Sequence, residues 1–151
     1  MATTDQRPDV MRWVAVALWL LPLYALLLAL STLTHEPDHV ADFGAWAEFV
    51  TTGIFRVSHV AASIFGAALG LIGLVAALVL LVHGPRARSA FLATALTVVA
   101  NVAYTAVFGL AAFAQPAMGR AFLAGEGDMR AFYDDVYGLP MLVTFAIGSL
   151  A

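Results

Sequence analysis

The chain has 151 residues, 62% of them hydrophobic and 11% charged, with a net charge of −3 at neutral pH. Soluble domains are about half apolar and about a quarter charged, so this balance excludes a water-soluble fold of ordinary composition. The lack of cysteine excludes disulfides, thiolate metal sites and cysteine nucleophiles, and no Lys or Arg stripe of the kind that meets nucleic acid is present.

In lipid each backbone N–H and C=O must be satisfied inside the protein. Helices do this segment by segment, whereas a barrel needs alternating strands that this sequence lacks. The expected fold class is therefore all-α: a transmembrane helical bundle of four spans forming one integral membrane domain over residues 1–151, with amphipathic interfacial segments on the outer side.

Residues 1–12, MATTDQRPDVMR, are polar and place Arg7 and Arg12 ahead of the first apolar run. That run, Trp13 to Thr34, is about 22 residues long, enough for a retained span and longer than the apolar core of a signal peptide. Pro22 lies inside it and predicts a kink near Leu18 to Pro22, since proline donates no backbone hydrogen bond. From His35 to Val50 the chain turns acidic. Val40, Phe43, Trp46, Ala47, Phe49 and Val50 recur at spacings near three and four, which predicts a short amphipathic helix at the membrane surface with Pro37 in its first turn.

The second span, about 54–82, carries no charge between Val60 and Val82. Arg56, His59 and Ser63 share a face at its polar end, and with Asn101 they form the candidate polar site, suited to an anion or a proton relay at a cavity. Arg56 equally fits a headgroup anchor, its stem in lipid and its guanidinium at the interface. Ala62, Gly66, Gly70 and Gly73 continue as a small-residue strip that permits close helix packing, within the chain or between copies.

His83-Gly84-Pro85-Arg86-Ala87-Arg88 is a tight basic turn between antiparallel helices. The third span, about 89–113, has Asn101 near its middle and is expected to end at Gln115-Pro116. In 117–139 acidic and aromatic residues alternate. Asp128 is placed to cap a short helix to Val136, with Gly125 and Gly127 breaking the segment before it. The fourth run, 139–151, would reach only about 18 Å against a hydrocarbon core of roughly 30 Å, so helix is expected to continue beyond Ala151. Arginines are densest in the N-terminal tail and the 83–89 turn, which places both in the cytoplasm.

His35-Glu36-Pro37-Asp38-His39 matches the letters of H-E-x-x-H, in which two imidazoles one helical turn apart bind zinc. Proline at the third position opposes the helix this geometry needs, so no metal is assigned and His35 and His39 stand only as low-ranking metal candidates. His59 and His83 fall on one helix, about 36 Å apart by rise, and the third helix has no histidine, which argues against haem between helices.

The stretches YALLLALSTLTHEPD, FRVSHVAASIFGAALGLIG, AAFAQPAMGRAFLAGEG and YDDVYG resemble multi-pass integral membrane proteins of high-GC bacteria, a group of uncharacterised proteins. The resemblance implies a bacterial plasma membrane setting and supplies no catalytic motif. The expected role is a non-enzymatic structural or partner-binding component, with the lipid bilayer and a membrane-protein partner or a second copy as its contacts, no nucleic acid and no cofactor. The alternatives are a small transporter with a polar cavity at Arg56, His59, Ser63 and Asn101, and a membrane enzyme with an outer-face metal site at His35 and His39.

Overall fold

Helices account for all the regular structure among the described residues of the computed structural model, which are 7–31, 33 and 36–151. In chain order they are α1 (Arg7–Leu18), α2 (Leu20–Ser31), α3 (Phe43–Val50), α4 (Gly53–Ser58), a π-helical segment (His59–Phe65), α5 (Gly66–Leu81), α6 (Ala87–Leu123), α7 (Met129–Val136) and α8 (Leu139–Leu150). Three helical stretches, Asp9–Ser31, Gly53–Leu81 and Ala87–Leu123, are long and apolar enough to cross a membrane. Their large apolar side chains point outward in number: Trp13 and Trp19 are 73% and 76% exposed. Lipid is the solvent such a surface fits.

The break between α1 and α2 falls at Trp19, inside the interval expected from Pro22. Proline cannot donate to Leu18 O, and the chain passes the gap with Trp19 N–H to Val16 O at 3.1 Å and Leu23 N–H to Trp19 O at 3.3 Å. Beyond the break, α2 lies against α5, whose glycines admit it. A methyl group built on Gly70 would stand 2.5 Å from a ring carbon of Tyr24, and one on Gly73 would stand 2.8 Å from Leu21 Cγ. The strip from Ala62 to Gly73 is thus filled from within the chain. In lipid, where apolar burial contributes little to helix association, such close approach and its dispersion contacts hold helices together.

The densest core lies at the end of the bundle where α3, α4 and α7 gather, here the capped end. Phe43, Trp46, Ala47, Val50, Phe55 and Met118 are buried together there. Asp42 starts α3 by accepting the Ala45 N–H at 3.0 Å, and the apolar face of α3 packs on α6. Pro37 precedes this helix and is not in its first turn, because the Asp42 cap sets the start further on.

The expected end of the third helix at Gln115-Pro116 is corrected: α6 runs through Pro116 to Leu123. Pro116 removes one bond to Ala112 O, but the residues beyond it are anchored by burial of Met118 and by the approach of Gly119 to α3. With 37 residues, α6 is about 55 Å long by rise, so its last turns extend past a hydrocarbon layer of roughly 30 Å. Asp128 caps α7 as expected, accepting from Ala131 N–H at 3.1 Å, and Gly125 and Gly127 turn the chain with φ of 73° and 61°. Then α8 returns along α6, with Gly148 seated on Ala103 and Tyr104 and the Tyr104 hydroxyl 3.0 Å from Ser149 Oγ.

A Cβ at Gly119 would lie 2.8 Å from Ala47 O and 2.8 Å from Val50 Cγ2, whereas one at Gly109 meets nothing within 4 Å. Gly119→Ala is expected to lower the thermal unfolding temperature in detergent: overpacking of about 1–3 kcal/mol exceeds the gain in helix propensity of about 1 kcal/mol. Gly109→Ala, with the same propensity gain and no clash, should raise or preserve that temperature.

Candidate functional site

The capped end is built from rings. Phe43 lies 4.7 Å from Trp46 and 4.9 Å from Phe122, Trp46 lies 5.1 Å from Tyr133 nearly at right angles, and Tyr133 stacks on Tyr137 at 4.4 Å. His39 leans on Tyr133 as well, with ring centroids 4.4 Å apart. Arg130 places its guanidinium 5.2 Å from the Phe43 centroid, a cation–π contact. Trp46 is fully buried, and its indole N–H donates to Glu36 Oε1 at 2.8 Å. That bond ties the segment 36–42 to the core and sets where Glu36 and His39 stand.

Beside this cluster is a cavity of about 460 Å³. Val107, Phe108 and Ala111 of α6 and Met141, Leu142 and Phe145 of α8 form its apolar wall. Glu36, His39, His59, Gln115, Tyr133, Asp134 and Tyr137 form its polar side. Its size and its mixture of an apolar wall with a few convergent polar groups match small-molecule sites.

His59 reaches the cavity from the π-helical segment. In that segment the turn is widened, and the Gly66 N–H bonds to Ala61 O, five residues back. Wide turns of this kind recur at functional sites. His59 Nδ1 lies 2.9 Å from Phe55 O, and its ring packs 4.1 Å from the Phe55 ring. A carbonyl only accepts, so Nδ1 is the donor in this bond.

Two polar atoms of residues that line the cavity are themselves closed off from it and lack a hydrogen-bond partner: Gln115 Oε1 and the Tyr137 hydroxyl. Burial raises the pKa of both tyrosines. Tyr133 is pushed up to about 12, first by burial and then by the charges of Glu36 and Asp134. Tyr137 is pushed higher still by burial, against a smaller lowering by the nearby Gln115 amide, with Tyr133 and Glu36 adding to the rise.

Of the four residues of the expected polar site, the structure brings only His59 to this cavity. Arg56 is exposed and lines a separate apolar cleft with Val57, Val60 and Phe65. Ser63 is buried in the π-helical segment. Asn101 is buried in α6, where its Oδ1 accepts from Thr105 Oγ1 at 3.4 Å, and it does not line the cavity. His35 lies outside the described residues. Glu36 to His39 is not helical, and among the described residues no group of three or more His, Cys, Asp or Glu side chains could hold a metal.

Sequence reasoning missed Gln115, Tyr133, Tyr137 and the Glu36–Trp46 bond. One signal was present: Gln115 is an amide at the end of a long apolar run, where polar residues are rare unless they serve packing or binding. No protein-family model, curated protein or solved structure matches the chain.

The raised tyrosine values carry a pH dependence. Between the usual value near 10 and about 12, the unfolded chain releases the Tyr133 proton while the folded chain retains it. Stability is therefore complete below pH 10 and falls as pH rises through that window. Alkaline titration followed by tyrosinate absorbance in detergent should show a fraction of the four tyrosines ionising late, together with unfolding. The Tyr133→Phe variant should lose that part of the pH dependence.

Proposed function

We propose that this chain is a multi-pass protein of a bacterial plasma membrane that acts without catalysis, by holding a small amphipathic ligand in the cavity at its capped end. One observation carries the reading. A cavity of about 460 Å³ sets an apolar wall from α6 and α8 against a polar side to which Glu36, His59 and Tyr133 contribute. A ligand with a polar head and an apolar body covers that wall while its head meets the polar side.

In this reading α8 is a fourth, short span, and α3 and α7 sit at the outer boundary of the bilayer. Their position is supported by the acidic and aromatic character of the segments around them and by the sparse arginine there. The N-terminus and the turn at 83–89 face the cytoplasm, supported by Arg7, Arg12, Arg86 and Arg88 in short segments. The native chain has no cysteine, so single cysteines report topology directly. In intact cells an impermeant maleimide is expected to label Glu126→Cys, and to label Arg86→Cys only after lysis.

The ligand reading is tested with a neutral aryl-alkyl alcohol bearing a diazirine. Photolabelling of the purified protein should concentrate on peptides containing Phe108 and 141–145, should be competed by excess unlabelled alcohol, and should fall about tenfold in Leu142→Trp, which narrows the cavity at an exposed position. Labelling spread over the apolar surface without competition would overturn the reading.

A further inference from the structure

We propose that the face of the second span carrying Arg56 holds an anionic phospholipid, its phosphate on the guanidinium and one acyl chain in the cleft beside it. This site shares no lining residue with the cavity at the capped end and does not rest on that cavity's being occupied. The cleft encloses about 270 Å³ and is lined by Arg56, Val57, Val60, Ala61 and Phe65. Its single polar side chain is a cation, and the rest is hydrocarbon. Ala61, with only a methyl group, leaves the gap that the larger side chains flank. From Arg56 to Phe65 the cleft runs on the order of 10 Å along the helix, the reach of part of an acyl chain.

This face is turned away from the bundle. Val57 and Phe65 are 66% and 64% exposed, and Arg56 and Ala61 are exposed with them, whereas Phe55, Ala62 and Ser63 of the same stretch are buried. An apolar face of a membrane-length helix, left open by its own chain, is a lipid-facing one.

Charge selects among lipids. Among the described residues no hydrogen bond or ion pair engages the Arg56 guanidinium, and no carboxylate lines the cleft. A guanidinium on its aliphatic stem reaches the headgroup level and takes a phosphate through two parallel N–H bonds. The attraction is fullest where the headgroup has a net negative charge. A choline or ethanolamine head sets its own cation beside the phosphate, and that cation finds no acid in the cleft to pair with. A free phosphate would meet Arg56 but leave the apolar lining uncovered.

The test is native mass spectrometry of the full chain released from nanodiscs that hold phosphatidylglycerol and phosphatidylcholine with identical chains in equal amounts. The wild type is expected to retain phosphatidylglycerol with at least about a fivefold preference. Arg56→Gln should lower that preference about fivefold, and Arg56→Lys should keep part of it. Ala61→Phe, which fills the gap at an exposed position and leaves the guanidinium in place, should weaken retention of phosphatidylglycerol with the circular dichroism spectrum unchanged. Glycerol 1-phosphate, a head without chains, should not displace the lipid; displacement would assign the site to a soluble phosphate and overturn the proposal. Equal retention of both lipids by the wild type, or a preference unaltered in Arg56→Gln, would also overturn it. A wild-type dimer that is lost in Ala61→Phe would assign the face to a second copy, with the same consequence.

Discussion

The capped end depends on the burial of Trp46. An indole sunk completely in an apolar core must satisfy its N–H, and Glu36 Oε1 does so at 2.8 Å. The consequence reaches beyond one bond. Glu36 belongs to the chain leading into α3, Trp46 to α3 itself, and the rings packed on Trp46 come from α3 and α7, so the bond joins separate segments into one lid on the long helices. The same lid positions His39, Tyr133 and Asp134 at the cavity. Loss of the Glu36 acceptor without replacement would leave a buried donor orphaned, which is why the acid cannot be exchanged for an apolar residue without disturbing the site.

Elsewhere the bundle is held differently. Along α2 and α5 the seam is made mainly of small and apolar groups, and lipid competes with protein for apolar contact on nearly equal terms. Glycines at 66, 70 and 73 let the ring of Tyr24 and the side chain of Leu21 come close enough for dispersion to favour protein over lipid. Gly119 serves the same purpose at the capped end, where the α3 backbone itself is the neighbour. The chain thus uses two packing modes, a small-residue seam in the apolar middle and an aromatic cluster with polar tips where the segments leave it. The cavity lies where these modes meet, between the apolar walls of α6 and α8 and the polar tips of the cluster.

Much of the scaffold was legible in residue order. Length and apolarity marked the long spans, because crossing a hydrocarbon layer imposes a minimum run that few other constraints produce. Pro22 marked the break at Trp19 through its missing donor, and Asp128 with Gly125 and Gly127 marked the start of α7, because caps and positive φ are local properties. Pro116 shows where local reasoning fails. The same missing donor that interrupts the first span is tolerated in α6, since burial of Met118 and Gly119 against α3 holds the turn beyond it.

The sequence by itself determined an all-helical chain with membrane-length apolar segments, two short helices, one of them with its cap at Asp128, and a glycine seam, all of which follow from residue type and local spacing. Only the tertiary structure decided that Arg56 and His59 part company, that Asn101 pairs with Thr105 away from the cavity, and that Gln115, Tyr133 and Tyr137 converge with Glu36 on one site. Those residues come from segments far apart in the chain, and their meeting is set by the crossing of α6 and α8 beneath the α3 and α7 lid, a geometry that no local periodicity encodes.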